Sequence, residues 1–198
     1  MILKKYHRLI GLVMLIPLCL WAATGVFFSI KPGYQGAYQK LYVATYPLAH
    51  SVTLSSQADW QELRRLKTIL GEHLLVKTNN QWQQLHSHNQ QPWPAATPAQ
   101  VQQLIADALR SDPQRYGNIN TVDGYQATTT TGVNITLDWH TLGLKQRGQD
   151  TEFIAKLYKL HYLQWSNNAF INGLLETIGL SLLIILTLLG AWISVKKT

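Results

Sequence analysis

Two charge-free apolar blocks, one near each end, constrain this chain most. Leu9 to Ile30 holds no charged residue over 22 positions, and Thr177 to Val195 holds none over 19. At about 1.5 Å rise per residue, either block as a helix can cross a hydrocarbon core of roughly 30 Å. Pro17 lies in the first block; neighbouring helices can satisfy the carbonyl it frees. A cleaved signal peptide would carry a shorter apolar region, about 7–15 residues, and then a small-x-small site. A cut after Ala23 would put Trp21 at the −3 position. The expectation is therefore an uncleaved transmembrane helix at each end.

Charge orients these helices. Lys4, Lys5 and Arg8 precede the first block, Lys196 and Lys197 follow the second, and neither tail carries an acid. Residues 31–169 hold 12 basic and 9 acidic side chains over a far longer stretch. The excess of basic residues beside the spans predicts that both termini are cytoplasmic and that the intervening segment lies outside. The net charge of +7 is thus a topology signal, with no nucleic-acid patch to accompany it. The one cysteine, Cys19, lies inside the first block, so no intrachain disulfide can form.

Lys31 to Asp150 reads as a water-soluble α+β segment. "SSQADWQELRRLKTIL" (residues 55–70) spaces Trp60, Leu63, Leu66 and Leu70 as a helix would. "TPAQVQQLIADALR" sets Val101, Leu104, Ile105, Ala108 and Leu109 on one stripe, with Thr97 as N-cap and Pro98 at the first helical position. Strand-like runs follow each: "HLLVKT", an Asn-Asn turn and "QWQQLHSH", then "YGNINTV", "GYQATTTT", "GVNITLDW" and "LGLKQRG". Asp123-Gly124 and Thr131-Gly132 mark tight turns. The order suggests a weak internal repeat of helix and strands, preceded by one more strand, "QKLYVATY". The charge-poor stretch after the first unit, rich in Gln, Asn, Pro and Trp, reads as a linker.

Two of the seven histidines border membrane helices, where an ionisable group is costly and often functional. His7 shares a helical face with Gly11, Met14, Leu18, Trp21 or Ala22, and Gly25. Gly11, one turn above it, leaves room for a flat macrocycle or for a neighbouring backbone, and Arg8 could pair with an anionic group or serve topology alone. His161 lies near the centre of the apolar stripe of an amphipathic helix, with Lys156 and Lys159 opposite. "SNNAFING" then offers a bend before the second span. One span of about 30 Å separates the two histidines, so one chain cannot bring both to one iron. Two parallel chains about a two-fold axis would pair each with its own copy in a four-helix bundle, and histidine is an axial ligand for haem iron. His86 and His88 could offer two ligands on one strand face, but with no cysteine or clear carboxylate partner nearby they read as a polar strand end or loop.

These motifs resemble the PepSY-associated transmembrane family of bacterial inner-membrane proteins. Tyr6-His7-Arg8-Leu9-Ile10-Gly11 is similar to the start of that family's first span, and Thr24-Gly25 to its close. Leu157-Tyr158-Lys159-Leu160-His161 resembles the later histidine motif, and Gly190-Ala191-Trp192 the end of the following helix. "TPAQVQQLIADAL" and "VNITLDWHTLGLKQ", with its Asp-x-x-Thr-x-Gly-like turn, resemble a PepSY unit. Two departures stand out: only two spans are present, and Tyr158 replaces the first histidine of the outer motif.

The resemblance implies a two-span inner-membrane protein that forms a four-helix bundle as a homodimer, with an α+β PepSY-like periplasmic domain. Its parts would be residues 1–30 (cytoplasmic tail and first span), 31–150 (periplasmic domain), 151–168 (interfacial helix) and 169–198 (second span and tail). It implies haem b, two per homodimer, with His7 and His161 as axial ligands and Arg8 and Gly11 lining the cofactor. It further implies an oxidoreductase that passes electrons from a cytoplasmic donor to ferric iron, free or chelated, in support of iron uptake. No flavin, nicotinamide, hydrolase or phosphate-loop pattern is present, so the donor would be a separate molecule. Two other readings compete: a membrane-anchored PepSY module for binding or sensing, and a metallochaperone using His86, His88 and His140.

Overall fold

Both apolar blocks form helices. The computed structural model describes residues 2–49, 51 and 58–196. In chain order these form α1 (Ile2–Ile30), α2 (Tyr34–Ala37), β1 (Trp60–Thr68), β2 (Gly71–Thr78) and β3 (Gln81–His86). Then come α3 (Pro98–Leu109), α4 (Pro113–Tyr116), β4 (Ile119–Asp123), β5 (Gln126–Thr129), β6 (Asn134–Asp138), β7 (Gly143–Arg147), α5 (Gln149–His161) and α6 (Ala169–Val195). The chain divides into two units, one built from residues 1–34 and 151–198, the other from residues 35–150.

In the first unit, α1 and α6 are each long and apolar enough to cross a membrane. They pack antiparallel. A Cβ at Gly190 would approach the His7 ring, one at Gly11 would meet Leu186, and one at Gly179 would meet Trp21, so partners in α6 descend as α1 ascends. Neither helix is enclosed by the protein: α6 buries no residue and α1 only Met14 and Thr24. Leu12, Ile16, Ile184 and Leu188 stay more than half exposed. Helices of a soluble core would bury such side chains, so these faces suit an apolar surrounding medium. α1 continues through Pro17. The bend at "SNNAFING" is present: α5 ends at His161, and Asn168 caps α6 by accepting from the backbone N–H groups of Phe170 and Ile171.

The second unit is α+β with two antiparallel sheets, in strand orders β1-β2-β3 and β4-β5-β6-β7. α3 begins as its sequence predicts. Thr97 and Gln100 form a reciprocal capping box, and Pro98 occupies the first turn. The stripe Val101, Leu104, Ile105, Ala108 and Leu109 is buried against Ile135 and Leu137 of β6, Ala127 of β5 and Leu75 of β2 in one core. Asn79 and Asn80 make the β2–β3 turn in left-handed conformation, and Gly124 and Gly132 take the same region at their turns. The Asp138–Gly143 turn is built by Asp138 itself, which accepts from the His140 N–H and the Thr141 hydroxyl, while Gly143 N–H donates to Thr141 Oγ1.

Two expectations fail. Residues 60–68 of the expected helix at 55–70 are strand β1, and residues 55–57 lie outside the described residues. The apparent helical stripe does not share one face: Leu63 is 42% exposed, while Leu66 and Leu70 pack against one core cluster and Trp60 against another. Pairing with β2 from Trp60↔Thr78 to Thr68↔Gly71 instead satisfies the backbone. It also sets Arg65 against Glu72 and Lys77 against Glu62 across the hairpin. The repeat of helix-then-strands therefore dissolves into sheet, helix, sheet. "QKLYVATY" also forms no strand ladder. It makes one bridge from Tyr42 to Gly143 and one from Tyr46 to Lys67, reaching from one sheet to the other, too far apart to make a ladder with either.

Ile105 is fully buried at the centre of this core. Ile105→Ala should destabilise the unit by about 2–5 kcal/mol, read as a lower denaturant midpoint at unchanged slope.

Candidate functional site

The two ends of the α1–α6 pair hold different constructions. At the first, the His7 ring lies against Gly190, where an added Cβ would come within 3.2 Å of His7 Cε1. His7 Nδ1 is buried with no hydrogen-bond partner, an unusual state for a polar atom. Gly11 does not hold an open slot within this chain, because Leu186 of α6 stands 3.6 Å from where its Cβ would be. The small residue that admits the imidazole is Gly190, from the Gly190-Ala191-Trp192 motif. Arg8 is exposed.

At the other end, His161 closes α5 and is fixed by α1. Trp21 Nε1 donates to the His161 carbonyl at 2.7 Å, and Thr24 Oγ1 lies 2.7 Å from His161 Nδ1. The single Thr24 hydroxyl proton is within reach of the Leu20 carbonyl at 2.6 Å, the Trp21 carbonyl at 3.2 Å and His161 Nδ1. When that proton is given to a helix carbonyl, Thr24 Oγ1 accepts from His161 Nδ1–H and a lone pair is left on Nε2. The Phe28 and Tyr162 rings meet the imidazole edge-on, each with centroids 5.2 Å away. Beside it is an open pocket of about 400 Å³ lined by Trp21, His161, Tyr162, Leu163, Glu176, Leu180 and Leu183. Tyr158 stacks on Phe28 and accepts a hydrogen bond from the Tyr34 hydroxyl, so it belongs to the aromatic packing around His161.

The structure thus does not bring His7 and His161 together. Thr24, the partner of His161, stands 17 residues beyond His7 along α1, roughly 25 Å at helical rise. It does join motifs that are distant in sequence: His7 with Gly190, and Thr24 with His161. Sequence reasoning passed over Glu176 and the roles of Trp21 and Thr24. Glu176 had a signal, as a lone carboxylate next to an apolar run.

The α+β unit holds most of the remaining histidines; His50 lies outside the described residues. His73 is fully buried, with Nε2 2.7 Å from Thr68 Oγ1 and Nδ1 2.9 Å from Gln84 Oε1. The Gln84 amide donates to the Trp139 carbonyl, so its oxygen faces His73 as acceptor. Trp93 is sandwiched between His73 and His86, at centroid distances of 4.7 and 4.2 Å. His88 and His140 are exposed. Arg65, and then Ser87, hold the Glu72 carboxyl below its ordinary range through hydrogen bonds. Among the described residues, no three His, Cys, Asp or Glu side chains are grouped to enclose a metal ion.

No protein-family model, no curated protein and no solved structure matches this chain.

Burial lowers the pKa of His73 below the roughly 6.5 of the unfolded chain. In that window the unfolded state binds more protons, so stability is full above about pH 6.5 and falls as pH drops through it. The unfolding midpoint should therefore decrease between pH 7.5 and 5, and His73→Gln should flatten that decline. Equal pH dependence in both proteins would show that His73 is not responsible.

Proposed function

We propose that this chain is a two-span protein of the bacterial inner membrane that binds haem b and carries electrons across the bilayer to ferric iron, free or chelated. Both termini are cytoplasmic, residues 35–150 lie in the periplasm, and the working form is a homodimer with two haems. The antiparallel α1–α6 pair supports this topology, since it sets the start of α1 and the end of α6 at one end of the helical pair. Five basic residues in the two tails support it further.

One observation carries the reading: Thr24 Oγ1 holds His161 Nδ1 at 2.7 Å beside an apolar-walled pocket, and the tautomer with the proton on Nδ1 leaves Nε2 as a lone-pair donor there. Metal-binding histidines characteristically give their other N–H to such an acceptor, which fixes tautomer and ring orientation. The donor set at the His7 end fits too, because a buried Nδ1 without a partner has unmet bonding capacity. His161 would hold the group through Nε2 at one face, and His7 through a ring nitrogen at the other. Each is completed by its copy in the second chain. Arg8 would pair with a propionate. Haem b supplies a one-electron ferric/ferrous couple when bound. Trp21 and Thr24 keep His161 in place, and the aromatic shell of Phe28, Tyr158 and Tyr162 restricts water.

A second reading is a haem-free, membrane-anchored binding module. The fit of Leu186 at Gly11 and of His7 at Gly190 favours it, as both glycines then serve helix packing.

The purified protein should show paired b-type absorption bands after dithionite reduction. His7→Ala and His161→Ala should each remove part of that spectrum. Thr24→Val, which cannot accept from Nδ1–H, should weaken haem retention by about 10–100-fold. A chain without b-type bands, stably bound to a periplasmic protein, would establish the second reading instead.

A further inference from the structure

The hairpin β2–β3 ends in a hollow of about 390 Å³ lined by Leu70, Gly71, Glu72, His86, Ser87, His88 and Trp93. The His86 and His88 rings face one another across it with centroids 5.6 Å apart and planes tilted by 58°. An imidazole nitrogen binds a transition metal at about 2.0–2.1 Å, which puts the ring centroid roughly 3.2 Å from the ion. Two rings on one ion then have centroids roughly 4.5 Å apart at a right angle and roughly 6.4 Å apart when opposite. The observed separation lies inside that interval.

The surroundings hold one ligand and leave the other adaptable. His86 is stacked face-on against Trp93, which is backed in turn by buried His73. The loop beyond β3 is closed by two backbone bonds, His86 N–H to the Gln91 carbonyl and Gln90 N–H to the His86 carbonyl. Its conformation is therefore set before any ligand arrives. His88, exposed on that loop, is free to turn a nitrogen inward. Opposite stands Glu72, whose Oε2 is taken by Arg65 at 2.6 Å and Ser87 at 3.0 Å. Its carboxylate is thus anchored at the hollow rather than offered as a third ligand.

We propose that His86 and His88 form an open two-imidazole site for a borderline-soft divalent cation, with Cu²⁺ the best match and water completing the coordination. Imidazole nitrogens favour such ions over hard ferric iron, and Cu²⁺ binds most strongly among first-row divalent ions. The site is independent of the haem reading, since none of its residues belongs to the α1–α6 unit. His140 is no part of it and lines a separate hollow with Trp82 and Asp138.

The test is Cu²⁺ titration of the full-length protein in detergent, followed by electron paramagnetic resonance. The expected result is one Cu²⁺ per chain with nitrogen superhyperfine coupling. His88→Ala should weaken binding about tenfold or more and reduce that coupling, and His140→Ala should leave both unchanged. Because His86 packs on Trp93, His86→Ala can disturb the fold; exposed His88 makes the decisive variant. Absence of binding at micromolar Cu²⁺ overturns the proposal, as does a His88→Ala protein that binds like the wild type.

Discussion

A threonine hydroxyl can donate once. In α1 the Thr24 hydroxyl reaches the Leu20 carbonyl at 2.6 Å, and a proton placed there leaves the oxygen to accept from whatever approaches it. What approaches is His161, at the end of a helix 137 residues later in the chain. That contact orients the imidazole, ties α5 to α1 and, with Trp21 donating to the His161 carbonyl, sets where the chain turns into α6. The bend that follows depends on it, because Asn168 begins the last helix only seven residues later.

The apolar pair is organised by glycine as much as by side chains. Gly11, Gly179 and Gly190 each stand where a neighbour from the other helix or the bend comes close. Small residues allow helices to approach where lipid gives no hydrophobic reason to do so. His7 against Gly190 is then a polar group held in a packing niche, which distinguishes it from an interfacial histidine that merely dips into headgroups.

Elements with one strong physical signal were legible in the sequence. Uncharged runs of 22 and 19 residues predicted α1 and α6. The capping residues Thr97 and Pro98 predicted α3, and Asn79-Asn80, Asp123-Gly124 and Thr131-Gly132 predicted hairpin turns. β1 was not legible because its leucine spacing suits a helix locally, while the pairing that decides the matter comes from β2. At the site, His7 and His161 could be singled out by their position against apolar runs. Thr24 and Gly190 could not be assigned as their partners, since each contact depends on a helix register visible only in three dimensions. His73 was likewise hidden, as an ordinary histidine in a strand until burial and two hydrogen bonds define it.

The irregular segment around Tyr42 and Tyr46 has a consequence for how this domain meets other chains. Its two isolated bridges fall on β7 and β1, an outer strand of each sheet. A third outer strand, β3, is met by Pro92 opposite Leu85, where a proline cannot extend a ladder. Open sheet edges are templates for strand addition by a second polypeptide. Among the described residues, three of the four outer strands are each met by one such bridge and β4 by none, so β4 is the margin at which such pairing could begin.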